Sequence, residues 1–78
     1  PDPEIFALCA SELGFEGNDC VGVEDAQSGI EAITAAGMFS VGIGVEVTSV
    51  HPRLELGSTA ELDFEKICEA YTAWRNSQ

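Results

Sequence analysis

The chain has 78 residues, 45% of them hydrophobic, and its 14 acidic and 3 basic side chains give a formal net charge of −11. This length allows one small domain, which buries only about 60% of the surface exposed by its unfolded chain. The hydrophobic content argues against a disordered chain, and the negative charge argues against direct binding to nucleic acid or to an anionic membrane.

The first predicted element is a helix with clear start and stop signals. Asp2 is placed to cap it, with Pro3 at its first position, and Gly14 is a stop signal after which Phe15 can fold back as a hydrophobic contact. Between these signals apolar side chains recur at helical spacing and predict a buried stripe of Ile5, Phe6, Leu8, Cys9 and Leu13.

A short apolar run, Val21 to Val23, follows the turn residues at positions 17–19 and reads as a strand buried in a parallel sheet. Glu24 and Asp25 come directly after it. Open α/β sheets bind ligands outside the carboxyl ends of their strands, and Mg²⁺ takes one or two carboxylates there. Alternatively, Asp25 only caps the next helix, an interpretation that leaves Glu24 unexplained. The residues by themselves leave both alternatives open.

The second predicted helix runs from Ala26 to Ala36 and ends at Gly37, with Met38 as a hydrophobic contact. Gly29 lies inside this helix, where glycine costs about 1 kcal/mol relative to alanine. We expect another backbone or a bound phosphate to approach closely there; simple tolerance of a glycine is the alternative.

The remaining chain completes a strand–helix–strand unit and adds a third helix. Phe39 to Ile43 predicts a second buried strand, and a parallel pair joined by a helix forms a right-handed crossover. Val45 to Pro52 mixes edge-strand and loop signals, and Leu54 to Leu56 predicts a third short strand. Asp63 is expected to cap the last helix, with Leu62 and Ile67 as a hydrophobic staple and a frayed tail from Arg75. The apolar face of that helix consists of Phe64, Ile67, Cys68, Tyr71 and Trp74.

The three cysteines, Cys9, Cys20 and Cys68, are far apart, and each lies in an apolar pattern. We therefore interpret them as reduced core thiols of a cytosolic protein. No apolar run approaches the roughly 20 residues that span a bilayer, so we expect a soluble, cytoplasmic protein. His51 has no partner visible in the sequence and is expected to be a solvated loop residue.

Three stretches together resemble a known family: PDPEIF, then CVGVEDAQSGIEAITAAGMFSVGIG, then STAELDFEKI. They are similar to the C-terminal part of the core domain of haloacid dehalogenase (HAD) superfamily phosphotransferases, in the β-phosphoglucomutase-like branch that includes sugar-phosphate phosphatases. Glu24 before Asp25 favours this branch, because relatives such as phosphoglycolate phosphatases usually have glycine there. Ser28 departs from the family's usual alanine.

The resemblance implies an α/β fold: a partial Rossmann-like three-layer core with two to three parallel strands and about three helices, spanning residues 1–78. It implies that Glu24 and Asp25 bind Mg²⁺ and that Ala26 and Gly29 lie near the phosphate or substrate. In the family an aspartate nucleophile accepts the phosphoryl group of a small sugar phosphate, a second aspartate two positions later is the general acid and base, and a lysine before the PDP steadies the phosphate. This chemistry is mostly positioning and charge neutralisation.

The sequence departs from the family pattern in the remaining catalytic motifs. Its aspartates, Asp2, Asp19, Asp25 and Asp63, form no DxD pair, and its one lysine is Lys66 on the last helix. We therefore expect a C-terminal fragment, without catalytic residues of its own and inactive alone, whose nucleophile-bearing half and cap domain lie elsewhere. We also expect its exposed sheet edge to pair with that missing half or with a second copy.

Two other classes of protein are compatible with parts of the sequence. An acyl-carrier-like module would also be small and acidic, with Ser28 as attachment point, but the predicted strands argue against a helical bundle. A receiver-like α/β domain would bind Mg²⁺ for regulation and would need a phosphorylatable aspartate at a strand end, for which Asp25 is the candidate.

Overall fold

A computed structural model describes residues 2–44 and 51–78 of the chain. Its helices are α1 (Glu4–Glu12), α2 (Gln27–Ala35) and α3 (Phe64–Asn76), and its strands are β1 (Val21–Glu24), β2 (Phe39–Ile43) and β3 (Leu54–Leu56); 3₁₀ turns cover Gly17–Asp19 and Thr59–Glu61. Most of the predicted edge strand or loop from Val45 to Pro52 lies outside the described residues.

The three strands form one parallel sheet in the order β1-β2-β3. Val23 pairs with Val41, and Val41 pairs with Leu54. Successive strand residues face opposite sides, so this register places Gly22 and Ser40 on one face of the sheet and Val23 and Val41 on the other. The predicted α/β class and the strand–helix–strand unit are confirmed. The expectation of a buried first strand is wrong, because β1 lies at the edge of the sheet and its Val21 and Val23 are exposed.

Helix α2 packs on the face of the sheet that carries Gly22. Ile30 and Ile33 are fully buried there, and a β-carbon on Gly22 would lie 2.7 Å from Cγ2 of Ile33. The helix ends as predicted, because Gly37 has a φ of +78° and Met38 N–H donates to the Ile33 carbonyl (3.1 Å). Met38 is buried and contributes to the core.

Helix α3 packs on the opposite face against β2. The rings of Tyr71 and Trp74 lie 5.9 and 5.4 Å from the ring of Phe39, which is buried in β2. Asp63 caps the helix as predicted, since its Oδ1 accepts from the N–H groups of Glu65 (3.0 Å) and Lys66 (3.3 Å). The chain is therefore a three-layer α/β arrangement of α2, sheet and α3.

The buried stripe predicted for α1 is wrong. Ile5 and Leu8 are 67% and 55% exposed, Leu13 and Cys9 are exposed as well, and the buried residue is Ala10, which packs with Ile33 and Met38. A small side chain lets α1 approach α2 closely, and half-buried Phe6 fills the space beside it.

The predicted start and stop signals of α1, at Asp2 and Gly14, are confirmed. The Oδ1 of Asp2 accepts from Glu4 N–H (2.9 Å), although the helix begins at Glu4, one residue later than predicted. Gly14 has a φ of +81°, and Phe15 N–H donates to the Ala10 carbonyl (2.8 Å). Phe15 itself is 55% exposed, so its ring is not the buried contact that we expected.

Three further expectations are corrected. The cysteines are free, but Cys9 and Cys68 are exposed and only Cys20 is half-buried, so they are not all core thiols. Helix α3 continues to Asn76 rather than fraying from Arg75, whose Nη2 lies 3.5 Å from Oδ1 of Asp19. The packed part of the predicted apolar face of α3 is also shorter than expected. Phe64 is 75% exposed, and the aromatic contacts with Phe39 begin at Tyr71.

Candidate functional site

An open cleft of about 400 Å³ lies at the carboxyl ends of the strands. Because all three strands run parallel, their carboxyl ends meet at one edge of the sheet, where α/β proteins bind ligands. The loops after β2 and β3 are held together there by a hydrogen bond from Gly44 N–H to the Leu56 carbonyl (2.7 Å). The cleft is lined by Val23, Glu24, Asp25, Ile43, Gly44, Gly57 and Thr59.

Glu24 is the last residue of β1 and is half-buried. It lies on the same side of the strand as Gly22, which directs its side chain toward α2. Its Oε1 accepts from the backbone N–H of Asp25 (3.1 Å), and its side chain passes over Gly29 so closely that a β-carbon there would overlap its Cγ and Cδ. The close neighbour of Gly29 is thus the Glu24 side chain rather than another backbone. A phosphate or substrate near Ala26 and Gly29 stays a prediction.

Asp25 follows β1 and is exposed at the cleft. The helix after it begins at Gln27, and the cap position belongs to Ala26, which has an extended backbone and no side-chain cap bond. The interpretation of Asp25 as a helix cap is therefore not supported. Within residues 2–44 and 51–78, no hydrogen bond or ion pair to the Asp25 carboxylate is found, and Asp25 is one of the residues that line the cleft.

These two side chains fit a hard divalent cation, because both supply carboxylate oxygens at a strand end that is open to solvent. Mg²⁺ keeps several waters and takes one or two protein carboxylates, so a pair of acids is a suitable protein contribution. Across the described part of the chain, no group of three or more His, Cys, Asp or Glu residues could hold a metal. Glu24 and Asp25 alone would therefore be an incomplete coordination shell, and the remaining ligands would have to be water and other groups.

The other polar residues considered from the sequence lie apart from this cleft. His51 is exposed and its Nδ1 lies 3.7 Å from Oε1 of Glu55, and Lys66 is in the first turn of α3 beside the capping carboxylate of Asp63. Neither lines the cleft, and the cleft-lining residues include no cation. None of the helices in the described ranges has the length and apolarity that crossing a bilayer requires.

Sequence reasoning missed the far wall of the cleft, formed by Gly44, Gly57 and Thr59. A signal for two of these residues was present, because Gly44 and Gly57 each terminate a predicted parallel strand and so belong at the same edge as Asp25. Thr59 is placed there by the 3₁₀ turn Thr59–Glu61, which has no periodic pattern in the sequence.

Comparison with known proteins identifies relatives in sequence and a similar solved structure. A crystal structure of β-phosphoglucomutase (pgmB) from Clostridium difficile superposes with a TM-score of 0.87 and 43% identity, covering 95% of this chain and 33% of that protein. β-Phosphoglucomutase from Bacillus subtilis is 39% identical over 75 residues, which is 96% of this chain and 33% of the relative. The fructose-1-phosphate phosphatase YqaB of Escherichia coli is 46% identical over 43 residues, or 55% of this chain and 23% of the relative.

The chain belongs to the haloacid dehalogenase superfamily. Within the superfamily its relatives are phosphomutases and phosphatases, which confirms the resemblance seen in the sequence and the Rossmann-like fold that it implied. The chain spans about a third of the length of the β-phosphoglucomutases that it matches. No family model matches it.

Proposed function

We propose that this HAD-superfamily chain supplies the acidic, Mg²⁺-binding part of the active site of a phosphotransferase that acts on a small sugar phosphate. The observation that carries the proposal is the position of Asp25, whose carboxylate lies at the carboxyl end of β1, lines the cleft and does not cap α2. The printed names of the relatives, a β-phosphoglucomutase and a fructose-1-phosphate phosphatase, support the substrate class.

In this proposal the chain's own residues provide oxygen ligands and their orientation. Asp25 offers its carboxylate to the ion from the exposed strand end, and Glu24 lies beside it with one oxygen on the Asp25 N–H. Bound Mg²⁺ would supply positive charge between these acids and an anionic phosphate, and such neutralisation is the main requirement of phosphoryl transfer. The phosphoryl-accepting aspartate would lie outside this chain, because the sequence contains no DxD pair.

The overall reaction has two candidates. Transfer within a sugar phosphate, as in a mutase, is favoured by the relative that aligns with 96% of the chain. Hydrolysis by a sugar-phosphate phosphatase is favoured by YqaB, which is 46% identical over a shorter stretch. Both candidates require the same acidic pair, so the proposal for Glu24 and Asp25 does not depend on which reaction applies.

The test is Asp25→Ala in a protein of the relatives' length that contains this chain. We expect Mg²⁺-dependent turnover of sugar phosphates to be abolished while the far-ultraviolet circular dichroism stays unchanged. Glu12→Gln, which removes an exposed charge on α1, is the matched control and should keep full activity. Unchanged activity in Asp25→Ala would refute the assignment. The 78-residue chain alone should show no turnover, and activity in a preparation free of longer protein would contradict this part.

A partner surface accompanies this proposal. β1 is an edge strand, and on the face toward α3 its Val21 and Val23 are 39% and 48% exposed. We propose that this edge and face are covered by the remaining part of a longer protein or, in the chain alone, by a second copy. Sedimentation of the chain should show association that Val23→Lys weakens and the α2 control Thr34→Lys does not. A compact monomer at all micromolar concentrations would contradict self-association.

A further inference from the structure

The side chain of Glu24 lies directly against the backbone of Gly29, and no side chain at position 29 would fit between them. Gly29 is the third residue of α2, and a β-carbon on it would overlap Cγ and Cδ of Glu24 and lie 2.6 Å from its Oε2. Real β-carbons essentially never come within 3.0 Å of such atoms. The present position of Glu24 is therefore available only because residue 29 is glycine.

This position has two electrostatic features that alternative positions of the Glu24 side chain would lose. One carboxylate oxygen accepts from the N–H of Asp25 (3.1 Å), and the carboxylate lies over the first turn of α2, where the helix dipole favours negative charge. The hydrogen bond also fixes the peptide that carries Asp25. The direction in which Asp25 leaves β1 is thus linked to the place that Gly29 leaves open.

Glycine is among the least favourable residues for a helix, so its presence within α2 needs a structural reason. The Glu24 side chain supplies such a reason, because the three atoms nearest to the β-carbon position of Gly29 all belong to it. The obstacle is a side chain that can rotate, not backbone. Alanine at this position would consequently move Glu24 rather than unfold the helix.

We propose that Gly29 is a positioning residue for the acidic pair: its missing side chain holds the Glu24 carboxylate on the Asp25 N–H and so aligns both acids at the cleft. For its consequence on Mg²⁺ binding, this inference rests on the proposed function. For the geometry of Glu24 it does not, because that geometry depends on the contact between Glu24 and Gly29.

The first test is a double-mutant cycle of Gly29→Ala and Glu24→Ala, with thermal unfolding measured without Mg²⁺. In the Glu24→Ala background the obstructing atoms are gone, so Gly29→Ala should raise the melting temperature through helix propensity alone. With Glu24 present, the same substitution should raise it clearly less or lower it. Ser28→Ala, an exposed neighbour on the same turn, should behave alike in both backgrounds. An equal rise for Gly29→Ala in both backgrounds would overturn the inference.

The second test measures Mg²⁺ affinity by competition with Mn²⁺ in the full-length protein. We expect Gly29→Ala to weaken binding about ten-fold, the scale found when groups that orient metal ligands are changed. If Asp25→Asn removes binding and Gly29→Ala leaves it intact, the positioning role is refuted while the proposed function stands. If the cycle shows coupling but Asp25→Asn leaves the affinity unchanged, the geometric role stands and the proposed function fails.

Discussion

Gly22 of β1 faces Ile33 of α2 at a distance that admits no side chain between them. A β-carbon on Gly22 would lie 2.7 to 2.8 Å from three carbons of Ile33, which is fully buried. This contact sets the distance between α2 and the sheet. It therefore also influences how far the N-terminus of α2 lies from the end of β1. The acidic pair lies at that junction, so the packing two residues earlier in the strand helps to place it.

Gly22→Ala should destabilise the fold by about 1–3 kcal/mol, the usual cost of overpacking a core. Urea denaturation measures the change. Adding Ile33→Val, which removes the Cδ1 atom, should recover part of the loss, whereas Thr34→Ala on the exposed side of α2 should change stability little. Full stability of Gly22→Ala would show that α2 does not pack against β1 in this register.

The hydroxyl of Tyr71 donates to the backbone carbonyl of Asn18 (2.9 Å), which ties α3 to the 3₁₀ turn before β1. Tyr71→Phe keeps the ring on Phe39 and removes this one bond. We expect a loss of about 0.5–1.5 kcal/mol in the free energy of unfolding, the net value of a typical hydrogen bond. Mg²⁺ affinity should not change, because Tyr71 is remote from the cleft lining; an altered affinity would contradict the separation of these two regions.

Asp63 is the helix cap that both sequence and structure assign to α3. Asp63→Ala removes the acceptor for two backbone N–H groups and should lower stability by about 1 kcal/mol. Asp63→Asn retains a capping oxygen and serves as the control. The measurement is the melting temperature of the parent protein, Asp63→Ala and Asp63→Asn in thermal unfolding. Equal melting temperatures for the alanine variant and the parent protein would exclude a stabilising cap.

Much of the fold could be predicted because its signals are local. Gly14 and Gly37 end helices through a positive φ, Asp63 caps α3, and the short apolar runs at Val21 and Phe39 form the strands β1 and β2. Each of these depends on neighbours within a few residues along the chain. The position of Asp25 at the carboxyl end of β1 follows from the same local reasoning.

The errors concern features that depend on contacts between elements. Helix α1 has apolar residues on more than one side, so its periodicity could not show that Ala10, rather than Leu8, faces α2. The sequence also indicated that some group approaches Gly29 closely, but it did not show which group. Glu24 meets Gly29 only because the chain turns between β1 and α2, a geometry that residue spacing does not contain.

The central claim is that Asp25 and Glu24 hold a divalent cation at the cleft. The most direct measurement is a titration of the ¹⁵N-labelled protein with Mn²⁺, a paramagnetic substitute for Mg²⁺, observed by amide line broadening. We expect broadening to begin at Glu24 and Asp25, to extend to Gly44 and Gly57 across the cleft, and to disappear in Asp25→Asn. Broadening that is spread over the other acidic residues, or that is identical in Asp25→Asn, would contradict the account.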